Sequence, residues 1–156
     1  MNKRINIDEL KEFLISCPPD TKVYIGADSE RFKIQGVWHA DYTIAVVVHI
    51  GGKHGCRVFG ETTRELDYDK VKNKPRIRLM TEVYKVAEMY LRLKDVTHDF
   101  EVEVHLDISN DPMHGSSCVV QEAIGYIRGM CNVVPLVKPN SWAASYVADR
   151  FVNQLS

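Results

Sequence analysis

Three acidic residues stand where an ionisable group is costly to keep. Asp28 follows Val23-Tyr24-Ile25-Gly26-Ala27, and Asp107 follows Val102-Glu103-Val104-His105-Leu106. Both runs read as buried strands, so each carboxylate is expected at a strand end, where burial without a partner is unfavourable. Glu82 lies three residues after Leu79 and four before Val86, which puts it on the core-facing side of a helix. Carboxylates crowded on one core-facing rim repel unless a cation neutralises them, and hard cations such as Mg²⁺ and Mn²⁺ prefer carboxylate oxygens. The three together point to a divalent-metal site. Asp149, at the border of an apolar helical stripe near Ser145, Tyr146 and Val152, is a fourth candidate. On spacing alone, an exposed aspartate pairing with Arg150 accounts for it equally well.

Cationic and polar residues near these acids are candidates for substrate contact. Lys70, Lys72, Lys74, Arg76 and Arg78 alternate along the chain just before the Glu82 helix, a segment that either contacts phosphate or is a solvated basic loop. Lys138 lies between the last strand and the last helix, placed to neutralise a phosphate or to pair with an acid. His114, in the turn Asp111-Pro112-Met113-His114-Gly115-Ser116-Ser117, either assists a proton transfer or is an ordinary loop histidine. Ser116 and Ser117 read as helix caps that could also offer backbone amides to an anion. Trp38 and Tyr42 flank the entry to the second strand, where an exposed ring could stack on a base and a buried one would simply pack.

The elements that must position these groups are readable from periodicity. Ile7, Leu10, Phe13 and Leu14 recur at helical spacing between an Asn6 or Asp8 cap and the stop Cys17-Pro18-Pro19. Strands are expected over 22–27, 42–50 and 57–63, the last two linked by the turn Gly51-Gly52. Pro75 opens a helix to about Lys94 with the stripe Leu79, Val83, Val86, Ala87 and Tyr90. A strand over 100–108 follows, then a helix capped by Ser116 or Ser117 and ended by Gly129, then a strand over 132–137 that Pro135 marks as an edge or a bulge. A last helix, capped by Asn140 or Ser141, buries Ala144, Val147, Ala148, Phe151 and Leu155. Three strands joined as hairpins, then strands alternating with helices, imply a mixed sheet covered by helices.

The 156 residues, 45% of them apolar, fit one domain over 1–156 with a real core. A formal net charge of −1 gives no global pull toward nucleic acid or membrane, so any polyanion contact must be local. Cys17, Cys56, Cys118 and Cys131 form no CxxC pair and are expected to be reduced, mostly buried thiols rather than a zinc site or disulfide framework. The opening MNKRINIDELKEF carries charges where a signal peptide has an apolar core, and no run is long enough to span a bilayer. The expectation is a cytoplasmic protein with no membrane partner. No GxxxxGK[ST] phosphate loop occurs, which speaks against a phosphotransfer enzyme of that type.

The segments IGADSE, RLMTEV, VHLDIS and KPNSWAASYVADR resemble the YkuK-type family of ribonuclease H-related proteins over nearly the whole chain. The resemblance implies a ribonuclease H-like fold: a mixed five-stranded sheet, its first three strands antiparallel, flanked by helices, with a short N-terminal helix. By position it carries the superfamily's four acids onto Asp28, Glu82, Asp107 and Asp149, as catalytic residues and ligands of two Mg²⁺ or Mn²⁺ ions. His105 or His114 would stand in for Asp149 if that side chain points away. The chemistry implied is two-metal hydrolysis of phosphodiester bonds in RNA, an RNA–DNA hybrid or structured DNA; Lys74, Arg76, Arg78, His114 and Lys138, singled out above by charge and position, are the candidates for substrate contact. The alternative is a module that keeps the fold and binds nucleic acid or protein without turnover.

Overall fold

The structure, a computed structural model, describes residues 3–52, 55–69, 75–109, 111, 113, 117 and 119–143. Helix α1 (Ile7–Ser16) leads into strands β1 (Lys22–Ile34), β2 (Val37–His49) and β3 (Cys56–Leu66). Helix α2 (Arg76–Thr97), strand β4 (Glu101–Ser109), helix α3 (Val120–Cys131) and strand β5 (Leu136–Lys138) complete the order. The five strands form one sheet in the order β3-β2-β1-β4-β5. β1, β2 and β3 are antiparallel neighbours, whereas β4 runs parallel to β1 and β5 parallel to β4. The chain therefore has the mixed sheet and short leading helix expected of a ribonuclease H-like fold. No described helix is long and apolar enough to cross a membrane.

Alternation along the strands divides the sheet into two faces. Val23, Ile25 and Ala27 of β1, Ile44, Val46 and Val48 of β2, and Val104, Leu106 and Ile108 of β4 join one buried cluster with Leu10 and Leu14 of α1, the stripe of α2, and Val120, Ala123 and Ile127 of α3. The other face is thinner: Ala45 and Val47 pack with Ala143 against Tyr24 and Val58. Asn6 caps α1, its side chain accepting from Glu9 N at 3.1 Å.

Several boundaries differ from the sequence expectation, each for a physical reason. β1 does not stop at Ala27. It pairs with β2 as far as Ile34↔Val37, closed by a tight turn in which Gln35 and Gly36 have φ of 49° and 80°, and this pairing draws polar residues with no apolar run into all three antiparallel strands. Asp28 is therefore not at a strand end, and neither is Asp107, which precedes Ile108 and Ser109 in β4. α3 ends not at Gly129 but at Asn132, whose left-handed backbone (φ 57°) lets its N–H donate to Arg128 O at 3.1 Å. It starts at Val120 behind Val119, so Ser117 is not its cap, and Ser116 lies outside the described residues. β5 is confined to three residues on the sheet edge after Pro135, which lacks an N–H for the ladder. Among the described cysteines only Cys131 is buried; Cys56 is exposed because it opens β3 beside the hairpin turn. Cys118 and the expected last helix beyond Ala143 lie outside the described residues.

α2 is fixed at its start by a residue outside it. Pro75 offers no side-chain cap; instead Asp69 accepts from Ile77 N at 2.7 Å and from Arg78 N at 2.8 Å. One carboxylate thus satisfies two first-turn donors and meets the positive end of the helix dipole. Asp69→Ala should lower stability by about 1–2 kcal/mol, read as a lower urea midpoint with an unchanged slope.

Candidate functional site

The parallel ladder between β1 and β4 runs from Lys22↔Glu101 to Ala27↔Leu106. The next residues on the two strands are Asp28 and Asp107. Ala27 and Leu106 face the helix-side core, so alternation turns both aspartates to the opposite face, where they share a side-chain hydrogen bond. Burial, then the hydrogen bond and charge of Asp107, push the Asp28 carboxyl up to about 6. Ser29 N, donating to Asp28 Oδ1 at 2.8 Å, and the charge of Lys138 pull the other way. Lys138 reaches the pair because β5 runs beside β4, and its Nζ lies 2.9 Å from Asp107 Oδ1.

Glu82 belongs to a neighbouring layer. Ser29, one residue after Asp28, faces α2, and its hydroxyl donates to Glu82 Oε2. Arg78 Nη1 donates to the same Ser29 Oγ at 2.7 Å and lies 4.0 Å from Glu82 Oε2. Glu82 is buried, and its carboxyl is held well above the usual carboxylate range, first by burial and then by the charges of Asp28 and Asp107. Glu82 is thus in electrostatic contact with the aspartate pair while its hydrogen bonds go to Ser29. Among the described residues no group of three or more His, Cys, Asp or Glu side chains is placed to hold a metal ion.

His105 does not stand in for a metal ligand. It is 1% exposed, and its Nδ1 accepts from Trp142 N at 3.1 Å and Ala143 N at 3.2 Å. Two donors at Nδ1 require that this nitrogen carry no proton, so Nε2 carries it and donates to Glu103 Oε2 at 3.1 Å. The ring also meets Tyr24 and Trp142 edge-on. Its role is to fasten the segment after β5 to the strand that carries Asp107.

The remaining candidates divide. Arg78 and Lys138 lie at the carboxylates; Arg76 pairs with Glu122 of α3 at 2.6 Å. Asp149, Lys74 and His114 lie outside the described residues. Tyr42 is 2% exposed and cannot present its ring to a base, whereas Trp38 is 38% exposed. Sequence reasoning missed Ser29, Asp69 and the fastening by His105. Only Ser29 left a signal, as the second residue of the Asp-Ser pair; the partners of Asp69 and His105 are set by tertiary placement that no spacing rule encodes.

The donor chemistry of the aspartate pair fits a divalent cation. Mg²⁺ binds through one or two carboxylates together with water and substrate phosphates, and Asp28 and Asp107 offer two hard carboxylates whose repulsion Lys138 partly offsets. A family model described as Ribonuclease H-like matches residues 6–153. No curated protein and no solved structure matches the chain.

Two outcomes follow from this geometry. The Asp28 carboxyl titrates near 6 when folded and near 3.9 when unfolded, so the folded chain holds the extra proton between those values. This contribution to stability is fully present below about pH 4 and is lost as pH rises through about 6. Asp28→Asn should therefore be more stable than wild type at pH 7 without added metal, by up to about 3 kcal/mol, and chemical denaturation should show the gap closing below about pH 4. His105→Phe, which keeps the volume but removes the acceptor from two backbone N–H groups, should cost about 1–3 kcal/mol in the same assay.

Proposed function

The chain belongs to the ribonuclease H-like family, and from that membership and the juxtaposed Asp28 and Asp107 we propose that it is a divalent-metal-dependent nuclease that hydrolyses phosphodiester bonds. The observation that carries this reading is the aspartate pair: two carboxylates side by side on adjacent parallel strands, with Lys138 beside them. Such a pair is electrostatically unfavourable unless a positive charge or a proton offsets it. Asp28 and Asp107 would hold the cation, and Asp149 is proposed to join them. When bound, Mg²⁺ or Mn²⁺ supplies Lewis acidity that activates water and stabilises the leaving oxygen; family chemistry of this kind uses two ions.

The protein's own groups have distinct tasks. Lys138 is proposed to meet a non-bridging phosphate oxygen once Asp107 is engaged elsewhere, and Lys74, Arg76 and His114 are proposed contacts further along the substrate. Arg78, Ser29 and Glu82 form a part-buried chain of donors and acceptors that holds the backbone of β1 at Ser29, and so fixes where Asp28 points. Glu82 thereby acts on the site through Ser29 as well as through its charge. RNA, an RNA–DNA hybrid and structured DNA are the proposed substrate classes. A second reading, a nucleic-acid-binding module without turnover, draws on a specific observation: the Lys138 ammonium already offsets Asp107.

The experiment is cleavage of labelled single-stranded, duplex, hybrid and branched substrates with Mg²⁺ or Mn²⁺, comparing wild type with Asp28→Asn and Asp107→Asn. The nuclease reading expects metal-dependent cutting that each substitution lowers by at least about 100-fold, equivalent to roughly 2.7 kcal/mol of barrier. Each variant should still bind its substrate. Binding by wild type with no cutting of any substrate would favour the module.

A further inference from the structure

The far half of the β1–β2 hairpin takes no part in the site described above, yet it carries an unusual surface. Ile34, Val37 and Trp38 on the hairpin and Leu66 and Tyr68 beside it are all at least 37% exposed. Cations are interleaved with them on both faces. On the α2 side, Trp38 sits opposite Lys33 in the register, with Lys33 Nζ 4.9 Å and Arg31 Cζ 3.9 Å from its ring. On the reverse side, Phe32 and His39 stack with centroids 6.1 Å apart, and Arg64 Cζ lies 4.6 Å over Phe32.

The arginines are held rigidly. Arg31 donates through Nε to Asp67, whose side chain is fully buried, and through Nη2 to Asp69 O at 3.3 Å. Arg64 is gripped by both oxygens of Asp41, at 2.8 and 3.1 Å. These carboxylates fix the guanidinium planes against the rings, so the platform needs little ordering when a ligand arrives. Lys33 is different: among the described residues it makes no ion pair, and its ammonium lies against the Trp38 ring.

An exposed indole braced by cations, beside an ammonium that no described residue ion-pairs, matches one ligand chemistry: a flat aromatic group attached to a phosphate. Base stacking on aromatic side chains is tolerant of sequence and needs unpaired bases, while a lysine follows the backbone. We infer that Trp38, braced by Arg31 and flanked by Lys33, is a stacking site for single-stranded nucleic acid. This rests on the nucleic-acid part of the reading above and not on cleavage. A second copy of the chain suits the surface less well, because two such faces would bring like charges together.

The test is fluorescence anisotropy of labelled single-stranded and duplex oligonucleotides, in EDTA so that no cleavage intervenes, over a series of salt concentrations. Trp38→Ala should weaken single-strand binding roughly 5- to 150-fold and leave duplex binding nearly unchanged. Trp38→Phe should restore most of the loss, which separates stacking from folding. Lys33→Gln should reduce the slope of log affinity against log salt by about one. Single-strand affinity that is absent in wild type or unmoved in Trp38→Ala would overturn the inference. So would a dimer, seen by sedimentation, that Trp38→Ala dissolves. Cleavage that persists with unmoved binding sinks the hairpin site alone; hairpin-dependent binding with no cleavage sinks the nuclease reading alone.

Discussion

Two carboxyl groups side by side on adjacent parallel strands are the constraint around which this molecule is organised. Backbone pairing between β1 and β4 runs to Ala27↔Leu106, and the next residue on each strand is an aspartate. Because the strands are only about 4.8 Å apart, the side chains cannot avoid each other while both are partly buried. The Lys138 ammonium, 2.9 Å from Asp107 Oδ1, relieves part of the repulsion, and burial beside Asp107 pushes the Asp28 carboxyl up to about 6. This dependence reaches well beyond the pair: β5 must run parallel beside β4 to deliver Lys138, and His105 must fasten the segment beyond it, since a three-residue edge strand is a short anchor.

The alternation of a strand explains why Glu82 does not share the face of Asp28 and Asp107. Asp28 and Ser29 are adjacent, so they face opposite sides of the sheet. The helix carrying Glu82 packs on Ser29's side, and its carboxylate is met there by the Ser29 hydroxyl, itself held by Arg78. The sheet thus carries two coupled polar layers that communicate by charge through its thickness: Glu82 is raised in part by Asp28 and Asp107. A change at Glu82 acts on the aspartates through field and backbone together.

Much of this was legible in the residues. The apolar runs ending at Ala27 and Leu106 marked two buried strands and put Asp28 and Asp107 in equivalent places. The stripe of α2 turned Glu82 inward, as its 3% exposure bears out, and the motifs implied the mixed sheet. What escaped has a common cause. The length of β1 depends on pairing with β2 rather than on apolar content, so a segment such as Ser29-Glu30-Arg31-Phe32-Lys33-Ile34 gives no strand signal by itself. The tie from His105 to Trp142 and Ala143 spans more than 35 positions, and Asp69 caps a helix from outside the local motif. For Tyr42, left open between stacking on a base and packing, the structure decides for packing, because the side of β2 that it shares with Ile44 and Val46 is the one beneath α2.

β1 itself is two strands in one. From Lys22 to Ala27 it is paired on both edges, by β2 and β4, and its residues are mostly buried. From Asp28 to Ile34 it is paired by β2 alone among the described residues, and its exposure rises toward the turn. An edge left open in this way invites another strand unless charges discourage it, and Glu30, Arg31 and Lys33 serve that purpose along the outer half. Asp28 is the joint between the two regimes, supported by the rigid sheet on one side and reachable from solvent on the other. A catalytic or binding carboxylate needs both conditions, fixed position and access, and along β1 this is where they coincide.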